Sequence, residues 1–443
     1  MSEITNNLNG KRLLILGGTP QQLKLVEAAH NLGVYVIVAD WLETSIIKRA
    51  ADAAYALDIK DVDGICELCR KQSVDGVICG WVDPAQRPYQ QVCQRLDVPC
   101  YGTAEQFRLM TDKKAFKAMC SRSGVDVNPS WTEEEAIAGL VEFPVFVKPV
   151  DSRGSRGQAI CYDLDQLMIA VATAKHESSD GGVIIERYMG GCQEFQVTYF
   201  FENGHAHLVR TADSYTGSEG SGLEKVVLGA VSPSRYTQLY LDKANDAVVR
   251  MFKSMGYTDG PVFMQGFVDG DTFRFFDPGL RFPGVDYERV YKKVLGIDLA
   301  EIMVRFALTG AVTKSAVANN GVWLAVRAAA VLFPTIKPGI VGSLNCIRAV
   351  SDLPCVEACI PRVVEGDEVS FTCDVNQRLA EIDVVANDYC ELANAVDAVQ
   401  KMLDIRNDED EPMIFELFDT DVLRSDVYAY SKNVCEGGVY DCL

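Results

Sequence analysis

The stretch that most constrains this chain is Phe143–Gln158, FPVFVKPVDSRGSRGQ. It opens as an apolar run, Val145-Phe146-Val147, with the bulk and alternation of a buried strand. The run delivers Lys148 and meets Pro149. A short loop follows, carrying Ser152, Arg153, Gly154, Ser155, Arg156 and Gly157, and then a second apolar run, Ala159-Ile160-Cys161-Tyr162. Strand, glycine-rich loop, strand predicts a hairpin whose tip is backbone N–H groups and cations. Glycine lets that backbone approach an anion closely, while Lys148 and the arginines supply charge. A phosphate lid is one reading. An ordinary solvated turn uses the same residue types, and on this stretch alone the two stand level.

The 443 residues predict about three domains. A net charge of −20 argues against nucleic acid as a partner, so an anionic substrate needs a local positive pocket. No run approaches the ~20 apolar residues of a membrane span, and the opening MSEITNNLNGKR has no apolar core of a secretory signal. The fifteen cysteines are scattered through apolar positions such as Cys79, Cys161 and Cys346, as buried thiols in a reducing compartment are. A cytoplasmic location is expected. Cys66 and Cys69 form a CxxC inside a predicted helix, without the second ligand pair a zinc site needs.

Along the chain, Lys11–Asp40 reads strand, turn, helix, strand, with a helix starting at Thr19-Pro20. Further buried strands are expected at 75–80 and, more briefly, at 97–102. This predicts a doubly wound α/β unit with a parallel sheet. Gly17-Gly18 and Asp40 invite a dinucleotide reading, but the third glycine of GxGxxG is missing. Residues 103–119 read as helical, with Thr111-Asp112 as a cap and Lys113 just inside. A helix is expected over Leu164–Lys175, a strand over VIIER, and a strand from Gln193 that carries Glu194. Tyr215–Ser232 reads as a Gly/Ser loop near a site. After a helix over 239–255, residues 260–284 predict a hairpin turning at Asp269-Gly270-Asp271 and bringing Gln265 opposite Asp277. His205 and His207 alternate on one strand, where exposed histidines are the plainer reading than a metal pair. Short strands beyond 310 and a helix over 391–403 predict a small β-rich domain. Residues 408–412 read as an acidic linker before a tail with no legible chemistry.

The order of these parts resembles the ATP-grasp superfamily, in the branch of carbamoyl-phosphate synthetase, biotin carboxylase and phosphoribosylglycinamide synthetase. The stretches that carry the resemblance are TDKKAFKAMCSRSGVDVNP, FPVFVKPVDSRGSRG, VIIERYMGGCQEFQV, GPVFMQGF and FRFFDPGLRFPG. The fold it implies is α/β of the α+β ATP-grasp kind. An N-terminal doubly wound domain occupies 1–103. A central ATP-grasp domain of two antiparallel sheets with helices occupies 104–310, with a lid around 130–190. A C-terminal β-rich domain covers 311–405, and linker and tail cover 406–443.

The resemblance also implies roles. Lys113 and Lys148 match lysines that contact ATP phosphates, and Ser152, Gly154, Ser155, Arg156 and Gly157 match the lid over them. Glu186, Arg187, Tyr188 and Met189 match the linker whose backbone holds adenine, and Glu194 the ribose-binding glutamate. Met264 and Phe276 are counted with the nucleotide-binding residues. Arg281 matches the arginine near the γ-phosphate and, with Lys148, is the expected catalytic pair. Gln265 and Asp277 are the expected metal ligands for Mg²⁺ or Mn²⁺. Here the chain departs from the family pattern, which presents a glutamate on the first hairpin strand and E-x-N on the second, where this sequence has Gln265, Asp277 and Gly279. Asp286 or Glu288 is a spare carboxylate nearby.

The activity so implied is an ADP-forming ligase that joins a small-molecule carboxylate to an amine, with a homodimer as the common assembly of related enzymes. The rival expectations are a nucleotide-binding protein with weakened turnover and a biotin carboxylase-like enzyme whose biotinyl module comes from a partner. A dinucleotide-dependent oxidoreductase is the outside reading.

Overall fold

The computed structural model describes residues 8–43, 45–150, 157–178, 181–218, 220–223, 226–284, 287–312, 327–371, 375–425 and 428. The first strands are short, apolar on both faces and joined by helices, which is the pattern of a parallel sheet covered on both sides. They form a four-stranded sheet in the order Ala53–Ala56, Tyr35–Asp40, Arg12–Leu16, Gly76–Ile78, all pairs parallel. The expected strand at 97–102 is absent: Pro99 removes a ladder donor and Asp97 already ends the preceding helix in the left-handed region.

Two helices follow, Ala104–Thr111 and Lys113–Ser123. Thr103 and Gln106 close a capping box on the first. The Asp112 carboxylate accepts from the N–H groups of Lys114 and Ala115 and starts the second, so Lys113 stands at its first position. A four-stranded antiparallel sheet comes next, in the order Ser130–Trp131, Val183–Arg187, Val145–Pro149, Ala159–Cys161, packed on the helix Leu164–Glu177.

The centre is an eight-stranded antiparallel sheet. Its order is Thr272–Gly279, Gly260–Asp269, Gln193–Glu202, His205–Thr216, Val227–Ser232, Ala328–Leu332, Ala380–Ala386, Val356–Pro361. The last three strands come from the segment expected to form a separate β-rich domain; instead they extend the central sheet. The Gly/Ser-rich 215–232 stretch is likewise shorter as a loop than expected. Residues up to Thr216 and from Val227 are strand, because Val227, Leu228, Ala230 and Val231 are apolar enough to be buried in the sheet. The described residues of the linker and tail also fold back. Ile414–Glu416 pairs with Thr335–Ile336, and the Tyr428 hydroxyl donates to the buried Asp213 carboxylate at 2.6 Å. The helix expected over 239–255 is two, Thr237–Lys243 and Asn245–Ser254. Among the described residues no helix is long and apolar enough to cross a membrane.

One apolar core joins the N-terminal sheet to the central one through the helix Leu299–Thr309. The contact depends on Gly76. A Cβ there would lie 2.2 Å from the Ala307 carbonyl oxygen, a backbone atom of that helix. Gly76→Ala is therefore expected to destabilise the protein by about 1–3 kcal/mol through overpacking, read as a lowered urea midpoint. An unchanged midpoint would show that the helix shifts without cost.

Candidate functional site

The site begins with one buried carboxylate. Glu186 lies on the strand Val183–Arg187, opposite Phe146, and its side chain faces the helix Lys113–Ser123. Its Oε1 accepts from Lys117 Nζ at 2.8 Å and its Oε2 from Lys148 Nζ at 2.9 Å. Burial opposes its ionisation, but the ammoniums of Lys148 and Lys117 outweigh that and hold the carboxyl below its ordinary range. Lys113, four residues before Lys117 and so on the same helix face, has its ammonium pushed down by burial and by the neighbouring Lys148. Two lysines thus share one buried acid, and Lys113 stands nearby in the combined field of Asp277 and Glu186. Lys117 is the member that the sequence reading missed, and its spacing from Lys113 is the signal that could have found it.

Across the seam lies the edge hairpin of the central sheet. Gln265 is directly opposite Asp277, as expected, and Gln196 on the next strand is directly opposite Gln265. Gln265 Nε2 donates to a Glu194 carboxylate oxygen. Burial raises the Glu194 carboxyl, and burial also raises that of Asp277, with Arg281, Lys113 and Lys148 acting in the opposite direction. Arg281 donates from Nε to Asp83 Oδ1 at 2.9 Å and from Nη1 to the Phe282 carbonyl at 2.9 Å, and lies 5.3 Å from the Phe263 ring centre. Asp83, which the sequence reading also missed, comes from the end of the parallel sheet. Gly279 has a local reason: a Cβ there would sit 3.0 Å from Arg281 Cγ.

The remaining expected residues divide. Ser152, Gly154, Ser155 and Arg156 lie outside the described residues. Gly157 has φ +68°, and a Cβ there would meet Pro149 Cγ at 2.9 Å. In the linker, the Arg187 and Tyr188 N–H groups donate to Pro129 and Pro144 carbonyls, while the Met189 N–H makes no hydrogen bond among the described residues. Arg187 pairs with Asp269 at 3.0 Å. Met264 is not on the site face: it alternates with Gln265 and is fully buried on the other side of the sheet. Phe267 takes the expected place instead, opposite Glu194 and stacked on Phe276 with ring centres 4.9 Å apart. Asp286 lies outside the described residues, and Glu288 is held by Lys24 at 2.6 Å rather than offered to the site.

For a divalent cation, Asp277 and Gln265 offer hard oxygen donors side by side, a fit for Mg²⁺ completed by phosphates and water. Among the described residues no group of three His, Cys, Asp or Glu could hold an ion alone. His205 and His207 form no such site; His207 faces Glu202 at 3.7 Å, and burial lowers its pKa. Cys66 and Cys69 are buried thiols, the latter pushed up to about 12 by burial. Asp40 spends a carboxylate oxygen on the N–H of Leu42 in its own loop.

Residues 111–314 match the family model of the carbamoyl-phosphate synthase L chain, ATP binding domain. The carbamoyl phosphate synthase large chain of Pseudomonas putida is 28% identical over 204 residues, 42% of this chain and 19% of that protein. The chain therefore matches less than two thirds of that relative's length. Among solved structures, the biotin carboxylase–β,γ-ATP complex of Campylobacter jejuni is 18% identical with a TM-score of 0.71, covering 98% of this chain and 96% of that one. L-amino acid ligase of Bacillus licheniformis is 16% identical with a TM-score of 0.70, covering 92% and 99%. The fold is the ATP-grasp fold, and residues 111–314 match a carbamoyl-phosphate synthase-type ATP-binding domain.

Replacing Glu186 by Gln leaves Lys117 and Lys148 buried without a counter-charge. We expect Glu186→Gln to lose about 3 kcal/mol of unfolding free energy at pH 7, measured by urea titration. Because the folded pKa lies below the unfolded one, this contribution is in force at neutral pH and fades as pH falls through the folded value. The gap between wild type and variant should close in acid. A gap that stays constant with pH would mean that the ion pairs are not its source.

Proposed function

We propose that this protein is an ATP-dependent, ADP-forming ligase that activates a carboxylate as an acyl phosphate and joins it to an amine. The observation that carries the reading is the convergence of Lys113, Lys148 and Arg281 on Asp277, where the small sheet faces the edge hairpin of the central one. A carboxylate is a poor electrophile. Phosphoryl transfer to one of its oxygens, with ADP leaving, makes an acyl carbon that an amine nitrogen can attack. Phosphate then departs with that oxygen, and the nitrogen loses a proton.

Such chemistry needs positioning and charge neutralisation more than a nucleophilic side chain. Lys113 and Lys148 would hold the phosphates, with Gly157 and the loop residues Ser152, Gly154, Ser155 and Arg156 covering them. The Met189 N–H, which makes no hydrogen bond among the described residues, would meet the adenine edge, with Phe267 and Phe276 beside the base and Glu194 on the ribose. Arg281 would stabilise charge on the transferring group. Asp277 and Gln265 would hold Mg²⁺, whose chemistry when bound is to neutralise the polyphosphate. The reading is tested by phosphate release from ATP across a panel of carboxylate and amine pairs. Release that no pair stimulates would sink it.

Two variants probe the grip and the metal. Lys148→Ala should weaken ATP binding at least tenfold in calorimetry, while Lys117 still pairs with Glu186 and circular dichroism stays as in wild type. Unchanged affinity would return the 143–158 stretch to a plain hairpin. Gln265→Glu sets two carboxylates face to face where an amide now donates to Glu194. It should cost about 2 kcal/mol of stability without metal and recover it in Mg²⁺, with no large gain in turnover. A large gain would instead identify a nucleotide-binding protein that has lost its metal ligand.

A further inference from the structure

Gln86 is the first residue of the helix Gln86–Leu96, directly after the short turn that carries Asp83, and it is 1% exposed. Its side chain joins two layers of the molecule. Nε2 donates to Asp83 Oδ1 at 2.7 Å, and Oε1 accepts from the Leu280 N–H at 2.9 Å. The direction of the amide is fixed by these partners, because a backbone N–H only donates and an ionised carboxylate only accepts. Gln86 thus ties the turn that leaves the parallel sheet to the loop that leaves the edge hairpin of the central one.

Both contacts bear on Arg281, the residue after Leu280. Asp83 Oδ1 is the same oxygen that accepts from Arg281 Nε at 2.9 Å. The Asp83 side chain is 63% exposed, and an ion pair with one partner so open to water orients little by itself. Gln86 supplies the buried anchor. It holds the acid that the guanidinium binds, and it holds the backbone one residue before the arginine. Root and tip of the Arg281 side chain are therefore both referred to one amide. The far side of the loop is packed instead: Arg281 Nη1 donates to the Phe282 carbonyl, and the Phe282 ring stacks on Trp81 with centres 5.0 Å apart.

We propose that Gln86 is a positioning residue for Arg281: its amide ties Asp83 to the Leu280 backbone and so sets the direction of the guanidinium toward the terminal phosphate of ATP. What Arg281 acts on rests on the ligase reading; how it is held rests on the two hydrogen bonds. Substitutions separate the two contacts. Methionine keeps the length of glutamine and offers neither polar end. Glutamate keeps the acceptor for Leu280 but sets a carboxylate against Asp83. Two facing carboxylates share a proton in acid, which restores a donor toward Asp83.

The test uses the full chain. Modification of the nucleotide-free protein by phenylglyoxal, read by peptide mass spectrometry, reports how firmly Arg281 is held. Gln86→Met should react at Arg281 several-fold faster than wild type, with circular dichroism unchanged. Calorimetry with ADP and with the β,γ-imido analogue of ATP reports the contact with the terminal phosphate. In Gln86→Met the preference for the analogue over ADP should fall about tenfold, the size of one charge-assisted hydrogen bond, while ADP affinity is retained. Gln86→Glu should lose the same preference at about pH 8 and regain most of it, relative to wild type, at about pH 5.5. A side chain that only fills space gives no such pH profile. Where Gln86→Met does not fold, Gln86→Glu, which retains the Leu280 contact, carries both measurements. Arg281 reactivity or analogue preference that matches wild type in both variants overturns the proposal. In a protein that binds no nucleotide the ligase reading fails, and the reactivity of Arg281 decides the positioning role alone. A lost preference in a protein whose phosphate release no carboxylate and amine pair stimulates keeps that role and refutes the ligase.

Discussion

The site depends on the Glu186 carboxylate. It is a buried acid reached by a helix and a strand: Lys117 arrives from Lys113–Ser123 and Lys148 from Val145–Pro149. Each lysine is about four-fifths buried, so each would be expensive alone. Sharing one carboxylate leaves the cluster with a net positive charge while no ammonium is without an acid. A pocket of this kind attracts a polyanion even though the chain as a whole carries −20.

The second constraint is the pairing register of the central sheet. Antiparallel register places Asp277, Gln265 and Gln196 in one row, and Glu194 beside it. Both carboxyls in this group are raised by burial, so a third acid at position 265 would add repulsion that only a cation could offset. Gln265 resolves this by donating to Glu194, at the expense of a weaker metal ligand. The departure from the family pattern therefore has a structural consequence of its own: the hairpin is satisfied before any cation arrives. Gly279 fits the same account, since its missing Cβ leaves the space that the Arg281 side chain occupies.

Much of this was legible in the sequence, and the failures have physical causes. Local signals held well. The Asp112 cap set Lys113 at a helix start, and the turn at Asp269-Gly270-Asp271 fixed a register that brought Gln265 to Asp277. What failed was strand alternation across an irregularity. Met264 is expected among the nucleotide residues, yet it faces away, and the bulge beside Gln265–Gly266 lets Phe276 stack on Phe267. Non-local pairing was the other blind spot. Nothing in residues 328–386 says that their strands continue a sheet begun at 193, and nothing in the tail says that Tyr428 reaches Asp213. Lys117 and Asp83 were missed for the same reason, because their roles are set by partners 69 and 198 positions away.

Asp83 also explains why the parallel sheet is built against the ATP-binding segment rather than tethered to it. Arg281 is 8% exposed and follows the edge hairpin on a loop bounded by glycine and proline, so its own strand does not fix its direction. Asp83 does, through Nε, while Asp277 lies within the electrostatic reach of the same guanidinium. The arginine is thus shared between an acid of the N-terminal sheet and an acid of the central one. Its placement is then a property of how those two layers pack. That packing runs through Gly76 and the helix Leu299–Thr309, where there is no room for even a methyl group. A change far from the site that moves the layers apart must move Arg281 relative to Asp277, and with it a cation whose position is not set by Glu186.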